Sequence, residues 1–196
     1  MTNAQNIPDP RPMHARALAQ AESIVAAVGQ DQLGLPTPCP EYDVRTLLSH
    51  VVGGLTRIAV IGEGGDGLAV VPRADGVPDV GWLDAYRAAA ARARTAWSDD
   101  TRLDALVEVP WGKVPGRIAV SGYVMEILTH AWDLAKATGQ PTEGDPELAA
   151  YVLAIARRIL PPEPRGGDEI PFGPVIDVDP DAAPYAQLAA WLGRQP

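Results

Sequence analysis

Apolar residues recur along this chain three and four positions apart, which is the spacing of one face of an α-helix. The clearest stripe lies in the first segment and consists of Leu18, Ala21, Ile24, Val25 and Val28. It predicts a first helix over about 12–28. The same spacing predicts helices over about 43–61, 80–97, 118–138 and 145–160, with a last one near 182–192.

Residues that commonly cap helices mark several of the predicted ends. Asp43, Asp79 and Asp145 precede predicted helices and can accept hydrogen bonds from the first backbone N–H groups. Pro146 follows at a first helical position, where its missing N–H does no harm. Gly139 follows the helix over 118–138 and suits a left-handed turn at its end.

The segments between the helices carry turn residues rather than a helical period. The Gly-rich stretch 62–78 predicts an exposed loop that crosses the helices or covers an opening between them. The segments 106–109 and 113–118 flank Trp111-Gly112 and predict a small β-hairpin. A Pro- and Gly-rich loop follows Pro161, and a short extended stretch is predicted at 175–178.

Five or six helices with little strand predict an all-α helical bundle. A chain of 196 residues is long enough for one domain with a buried core. Within that single domain we expect residues 1–160 to form the bundle. Residues 161–196 form a C-terminal tail whose short helix packs on it.

Charge and composition narrow the functional class. A net charge of −9 argues against nucleic-acid binding, which requires clustered Lys and Arg. Cys39 is the single cysteine, so no internal disulfide can form, as expected in a reducing cytoplasm. The first residues lack the pattern of a signal peptide, and no apolar run reaches the length of a membrane span. We therefore expect a cytoplasmic protein, and its alanine-rich helices leave a homodimer open.

Two of the three histidines lie in strongly apolar helical segments. His130 follows Glu126 by one helical turn, which brings their Cβ atoms to within about 5–6 Å. On a helical wheel the pair borders the buried face, together with Asp133. His50, in another predicted helix, is the remaining histidine able to join them, because His14 is expected to be a surface or capping residue.

A carboxylate and two imidazoles suit Zn²⁺ or another borderline divalent metal. Three protein ligands leave a position open for water, thiol or substrate. Asp133 could accept the ring N–H of His130 that the metal does not use. In the alternative interpretation Glu126 pairs with a nearby cation and no metal binds. The cations considered are Arg45, Arg57 and Lys136.

Other polar residues allow more than one interpretation. Cys39 lies between two prolines and is either a fourth ligand, a reactive thiol or a small buried residue where a loop meets a helix. Arg45, Arg57 and Arg117 are either solvated charges or binding groups for an acidic substrate or for the carboxylate of a thiol. No residue is identifiable from the sequence as a general base, so the catalytic residues stay unknown.

Several of these segments resemble one protein superfamily. The segments are 37–40 (TPCP), 47–54 (LLSHVVGG), 126–139 (EILTHAWDLAKATG), 172–175 (FGPV) and 192–194 (LGR). Together they resemble the DinB/YfiT-like superfamily. More narrowly, they are similar to its actinobacterial branch related to the N-terminal domain of mycothiol-dependent maleylpyruvate isomerase.

The resemblance implies a DinB/YfiT-like four-helix bundle with a divalent metal held by His50, Glu126 and His130. It implies zinc as the commonest metal, nickel as the alternative, and a low-molecular-weight thiol such as mycothiol as co-substrate. The chain also departs from the isomerase, because the tail over 161–196 is too short for that enzyme's additional C-terminal domain.

Three functional hypotheses follow, and whether the protein is an enzyme stays open among them. The first is a metal-dependent thiol S-transferase or isomerase acting on a small electrophile. The second is a metal-binding sensor or binding module without catalysis. The third is a metal-dependent hydrolase that uses bound hydroxide in place of thiolate.

Overall fold

The computed structural model describes residues 8–163, 165 and 172–196. Seven α-helices, one 3-10 turn and one two-stranded sheet occur within these ranges. In chain order they are α1 (Arg11–Ala26), the 3-10 turn (Gln30–Gln32), α2 (Val44–Glu63), α3 (Trp82–Ala96), α4 (Asp100–Asp104), β1 (Leu106–Val109), β2 (Gly112–Pro115), α5 (Gly116–Ala137), α6 (Pro146–Ile159) and α7 (Pro184–Trp191). The Pro- and Gly-rich loop predicted at the start of the tail falls largely outside the described residues.

The helices α1, α2, α3 and α5 form a bundle, which confirms the predicted all-α class. α2 packs against α3 and α5, and α1 packs against the same two helices. α6 and α7 pack against each other, and α6 also contacts α5 and α1. Tyr185, Leu188 and Leu192 carry the C-terminal segment into the same apolar core. The division into a bundle and a tail stays a prediction.

α5 is the helix that the rest of the fold surrounds. Its buried positions lie on all sides and include Ala119, Val124, Leu128 and Leu134. A helix that is apolar all round must be covered on every face, because no side of it can face water at low cost. Polar side chains on α5 are therefore carried into the interior, His130 and Asp133 among them.

Two of the three predicted aspartate caps are confirmed. Asp43 accepts a hydrogen bond from the N–H of Thr46 at the start of α2, and Asp145 caps α6 in the same way. The predicted cap at Asp79 is wrong. α3 begins later, after Gly81, and Asp79 instead forms an ion pair with Arg45.

The predicted hairpin is confirmed, with β1 antiparallel to β2. Its second strand ends at Pro115 rather than at Ile118, because α5 already begins at Gly116. α4 was not predicted, since five residues are too few to show a helical period. α7 begins at Pro184, and the stretch 175–178 forms no strand, although Ile176 donates a backbone hydrogen bond to Ala190.

The loop between α2 and α3 is tethered along α2 rather than free in solvent. The hydroxyl of Ser49 donates a hydrogen bond to the backbone carbonyl of Ala74. The backbone N–H of Ala74 in turn donates to the hydroxyl oxygen of Ser49. Arg57 donates twice to the carbonyl of Val70, over 2.9 and 2.6 Å. At Gly53 the loop backbone comes so close that a Cβ atom would overlap Arg73. The absence of a side chain at Gly53 therefore lets the loop lie on the helix.

α2 is also long and apolar enough to cross a membrane by length and composition alone. The expectation that no segment is long and apolar enough for a membrane span missed this helix, because Arg45 and Arg57 interrupt its run of apolar residues. In the bundle, 56% of the residues in its most apolar window are buried. Core helices of water-soluble proteins have the same properties, so α2 gives only weak support for a membrane location.

The adjacent glycines of α2 provide a test of the loop packing. Gly54→Ala is expected to raise the free energy of unfolding by about 1 kcal/mol, because alanine is favoured in helices and nothing lies within 4 Å of the new methyl group. Gly53→Ala is expected to lower it by roughly 1–3 kcal/mol, because the methyl group displaces the loop. Urea unfolding followed by circular dichroism measures both. Equal effects of the two substitutions would contradict the close approach.

Candidate metal centre

His50, Glu126 and His130 meet where α2 packs against α5. One ligand atom from each lies within 4.8 Å of the other two, and no other such group occurs among the described histidines, cysteines and carboxylates. Glu126 Oε1 is 3.3 Å from Nε2 of His50 and 3.3 Å from Nε2 of His130. The two imidazole rings are nearly perpendicular, with centroids 4.9 Å apart. The fold thus brings together the three residues that the sequence analysis selected as metal ligands.

The second nitrogen of each imidazole is already engaged. His50 Nδ1 lies 3.2 Å from the carbonyl oxygen of Pro72, in the tethered loop. His130 Nδ1 lies 3.2 Å from Oδ2 of Asp133. Carbonyl and carboxylate oxygens only accept hydrogen bonds, so both Nδ1 atoms must carry the hydrogen. In the neutral rings Nε2 therefore presents a lone pair to Glu126.

Three hydrogen-bond acceptors thus converge on one point and require a positive charge between them. In the metal-free protein a proton supplies it. Burial by itself lowers the pKa of His130, but Glu126 and Asp133 outweigh it and raise this pKa to about 9. Partial burial tends to raise the pKa of Glu126, yet the two histidines hold it well below its ordinary value.

The donor set and its spacing also fit a divalent metal. Ligand atoms bound tetrahedrally to Zn²⁺ at about 2.0–2.1 Å are roughly 3.3–3.4 Å apart. The two distances from Glu126 Oε1 have this value, and all three ligand atoms lie within 4.8 Å of one another. The side chain of Glu126 is 44% exposed, against 18% for His50 and 11% for His130. The centre is therefore open on the Glu126 side, where a further ligand can approach.

Asp133 holds His130 from the interior. It is fully buried, and Arg194 donates to both of its oxygens, over 3.1 and 3.0 Å. Burial raises the pKa of Asp133, but hydrogen bonds from His130 and Arg194 outweigh burial and lower it. Helical spacing predicted Asp133 as the partner of His130. No role was predicted for Arg194, although 192–194 was among the segments of the resemblance.

The remaining candidates lie outside the centre. Cys39 is half-buried and absent from the ligand cluster, and burial together with Asp133 raises its thiol pKa. His14 is buried, which corrects the expectation of a surface or capping residue, and burial lowers its pKa to about 4. His14 lies on the buried face of α1 together with Ala17, Leu18 and Ala21. The residues next to it in sequence, Met13 and Ala15, did not indicate this burial.

The cations considered as alternative partners of Glu126 are engaged elsewhere in the part of the chain that the structure describes. Arg45 pairs with Asp79, and Arg57 donates to the loop carbonyl of Val70. Lys136 lies over the ring of Trp132, 5.7 Å from its centroid. Glu126 is instead bonded to the two histidines, so an ordinary surface ion pair does not account for it.

Known proteins are similar to this chain over most of its length. The sequence model of the mycothiol maleylpyruvate isomerase N-terminal domain matches residues 14–135. Two uncharacterized proteins from two strains of Mycobacterium tuberculosis are each 40% identical over 189 residues, which cover 95% of this chain and 98% of the relative.

Two solved structures share the fold. The crystal structure of the mycothiol-dependent maleylpyruvate isomerase matches with a TM-score of 0.60 and 16% identity. A histidine-to-alanine mutant of that enzyme matches with a TM-score of 0.61 and 14% identity. Both matches cover 79% of this chain and 71% of the other. At these identities the likeness shows a common fold.

The proton shared by the metal-free centre predicts a pH dependence of stability. His130 holds its proton up to about pH 9 in the folded protein, whereas the ordinary pKa is 6.5. The resulting stabilisation is fully present below pH 6.5 and lost as pH rises through about 9. Urea unfolding of chelator-treated protein between these pH values should show the decline. Glu126→Gln should weaken it, and an unchanged slope in that variant would contradict the assignment.

Proposed function

Because the chain belongs to the family of the mycothiol maleylpyruvate isomerase N-terminal domain, we propose that it is a metal-dependent, thiol-using S-transferase or isomerase. His50, Glu126 and His130 hold the divalent metal ion. Zinc is the expected metal and nickel the alternative. Mycothiol is the expected co-substrate, and the other substrate is a small electrophile of the maleylpyruvate type.

One observation carries the metal-binding part of the proposal. Two imidazole lone pairs and a carboxylate oxygen face one another, while the N–H groups of both rings are turned away toward Pro72 and Asp133. Such an arrangement is repulsive unless a cation lies within it. A proton can bind to only one of the two nitrogens. A divalent metal ion can accept lone pairs from both nitrogens and from the carboxylate oxygen.

The exposure of the centre supports a reactive site over a closed structural one. Structural zinc sites are usually enclosed by four protein ligands, whereas catalytic sites keep one position open. Here three protein ligands converge, Cys39 is outside their group, and Glu126 reaches solvent. A divalent metal held there supplies Lewis acidity, which favours ionisation of a coordinated thiol at neutral pH.

The residues of the chain would have separate tasks in this chemistry. His50 and His130 present Nε2 in a fixed direction, because Pro72 and Asp133 hold their Nδ1 atoms. Glu126 contributes a negative charge that partly neutralises the metal ion. The open side next to Glu126 admits the thiol and the electrophile. A cytoplasmic location, where such thiols are kept reduced, is part of the proposal, and a homodimer stays a prediction.

Metal content of purified variants tests the ligand set. His50→Ala, Glu126→Ala and His130→Ala should each reduce the bound metal to a small fraction of the wild-type level, because two ligands hold an ion far more weakly than three. Elemental analysis after dialysis measures the content and identifies the metal. His14→Leu is the matched control, since it removes the remaining histidine from a buried position outside the centre. Wild-type metal content in two of the three ligand variants would disprove the assignment.

Turnover with and without thiol tests the reaction type. The metal-loaded protein should convert maleylpyruvate, or transfer mycothiol to a model electrophile, only when mycothiol is present. Removal of the metal by a chelator should abolish this activity, and added zinc should restore it. Metal-dependent conversion of the electrophile without thiol would instead identify a hydrolase. Stable metal binding without either activity would favour the sensor or binding module.

A further inference from the structure

Asp133 is a buried carboxylate that needs its own support. It lies on α5 with no exposed surface, and an unpaired charge in such a place costs several kcal/mol. Arg194 provides the pairing through two N–H groups, Nε to Oδ1 and Nη2 to Oδ2. This forked geometry fixes the plane of the carboxylate as well as its charge. Oδ2 of Asp133, which His130 contacts, is therefore also held by Arg194.

Arg194 is itself positioned by the end of α7. The N–H of Gly193 bonds to the carbonyl of Ala190, and the N–H of Arg194 bonds to the carbonyl of Ala189. This pair of bonds is the glycine-terminated Schellman turn, and Gly193 adopts the left-handed φ of 75° that it requires. A Cβ atom at Gly193 would also overlap the backbone of Gly173. The turn therefore directs residue 194 back toward the bundle.

Further contacts restrict the guanidinium group. Its Nη1 donates to the carbonyl of Leu192 over 3.0 Å, and the group lies 5.8 Å from the ring centroid of Phe172. Only 11% of the Arg194 side chain is exposed. Its five donors are thus largely committed, in contrast to a surface arginine that moves freely in water.

We propose that Arg194 is a positioning residue of the metal centre, which acts through Asp133 to fix the orientation of the His130 imidazole. The C-terminal arm, defined as residues 172–196, would then complete a centre whose ligands all lie on the bundle. The region matched by the family's sequence model ends at residue 135, so it includes Asp133 but not Arg194. The proposal rests on the proposed metal site, although its first test needs no metal.

A purely structural role for the same ion pair predicts something different. If Arg194 only fastens the arm to α5, its loss lowers stability and leaves His130 in the same orientation. If Arg194 acts through Asp133, its loss frees the carboxylate to turn, and His130 loses the acceptor that holds Nδ1. The orientation of one imidazole therefore separates the two roles.

The first experiment records the imidazole signals of the metal-free protein by ¹H–¹⁵N NMR. The chain has three histidines, so His14→Leu and His50→Ala suffice to assign the signals of His130. Arg194→Gln should remove or shift the hydrogen-bonded Nδ1–H signal of His130, and Arg194→Lys should restore it in part. Arg157→Gln is the matched control. That arginine lies 5.6 Å from the ring centroid of Trp191 in α7, whereas the groups bonded to Asp133 in the described residues are His130 and Arg194, so its loss should leave the signal unchanged.

The second experiment measures zinc affinity by competition with a chelator. Removal of a group that orients a metal ligand typically weakens binding by about 10–100-fold. We expect this for Arg194→Gln, for Asp133→Asn and for Gly193→Ala, which displaces Arg194 without removing it. The double variant Arg194→Gln/Asp133→Asn should bind no more weakly than Asp133→Asn, because both changes break the same chain of contacts. Thermal unfolding of each variant identifies a temperature at which all of them are folded, and zinc affinity is measured there. If Arg194→Gln does not fold, Arg194→Lys takes its place.

The outcomes test two things separately, namely the role of Arg194 and the existence of the metal site. An unchanged His130 signal in Arg194→Gln overturns the proposal, and so do additive losses of zinc affinity in the double variant. If the wild-type protein takes up no zinc, the metal site itself fails. The NMR comparison then still decides whether Arg194 orients His130.

Discussion

Three acceptor atoms confined to one small space form the interaction on which the rest of the site depends. Glu126 Oε1 faces Nε2 of His50 and Nε2 of His130, and both rings have their N–H groups turned away. The electrostatic cost of this arrangement is relieved only by a cation, whether a proton or a metal ion. The packing of α2 against α5 keeps the three atoms together, so the bundle determines the chemistry available at this place.

Support for the two histidines comes from segments far apart in the chain, and glycines make both approaches possible. Gly53 lets the loop backbone lie on α2, where the carbonyl of Pro72 meets His50. Gly193 lets the chain turn after α7, so that Arg194 reaches Asp133 behind His130. In both places a side chain would occupy the space that the neighbouring backbone fills. The loop and the C-terminal arm are therefore linked to the centre through backbone packing.

The predictions that failed share a physical cause, which is that local sequence does not report burial by distant segments. Asp79 has the residue type of a helix cap, but its ion pair with Arg45 is a contact between separate elements. His14 follows the start of a helix, where a histidine is often exposed, yet other helices cover it. The stretch 62–78 forms a largely exposed loop as predicted, but its attachment to α2 through Ser49 and Arg57 is likewise a contact between distant segments that its composition did not indicate.

The sequence by itself determined the helical pattern and the local part of the centre. Glu126, His130 and Asp133 are separated by four and three residues, so the helical period alone aligns them on one side of α5. His50 joined this set as the remaining histidine in an apolar segment, and the family resemblance implied the same three ligands. Only the tertiary structure brought the ring of His50 to Glu126 and supplied the carbonyl of Pro72 and the guanidinium of Arg194. The reason is that spacing along a helix is fixed by its geometry, whereas contacts between distant segments depend on how the whole chain packs.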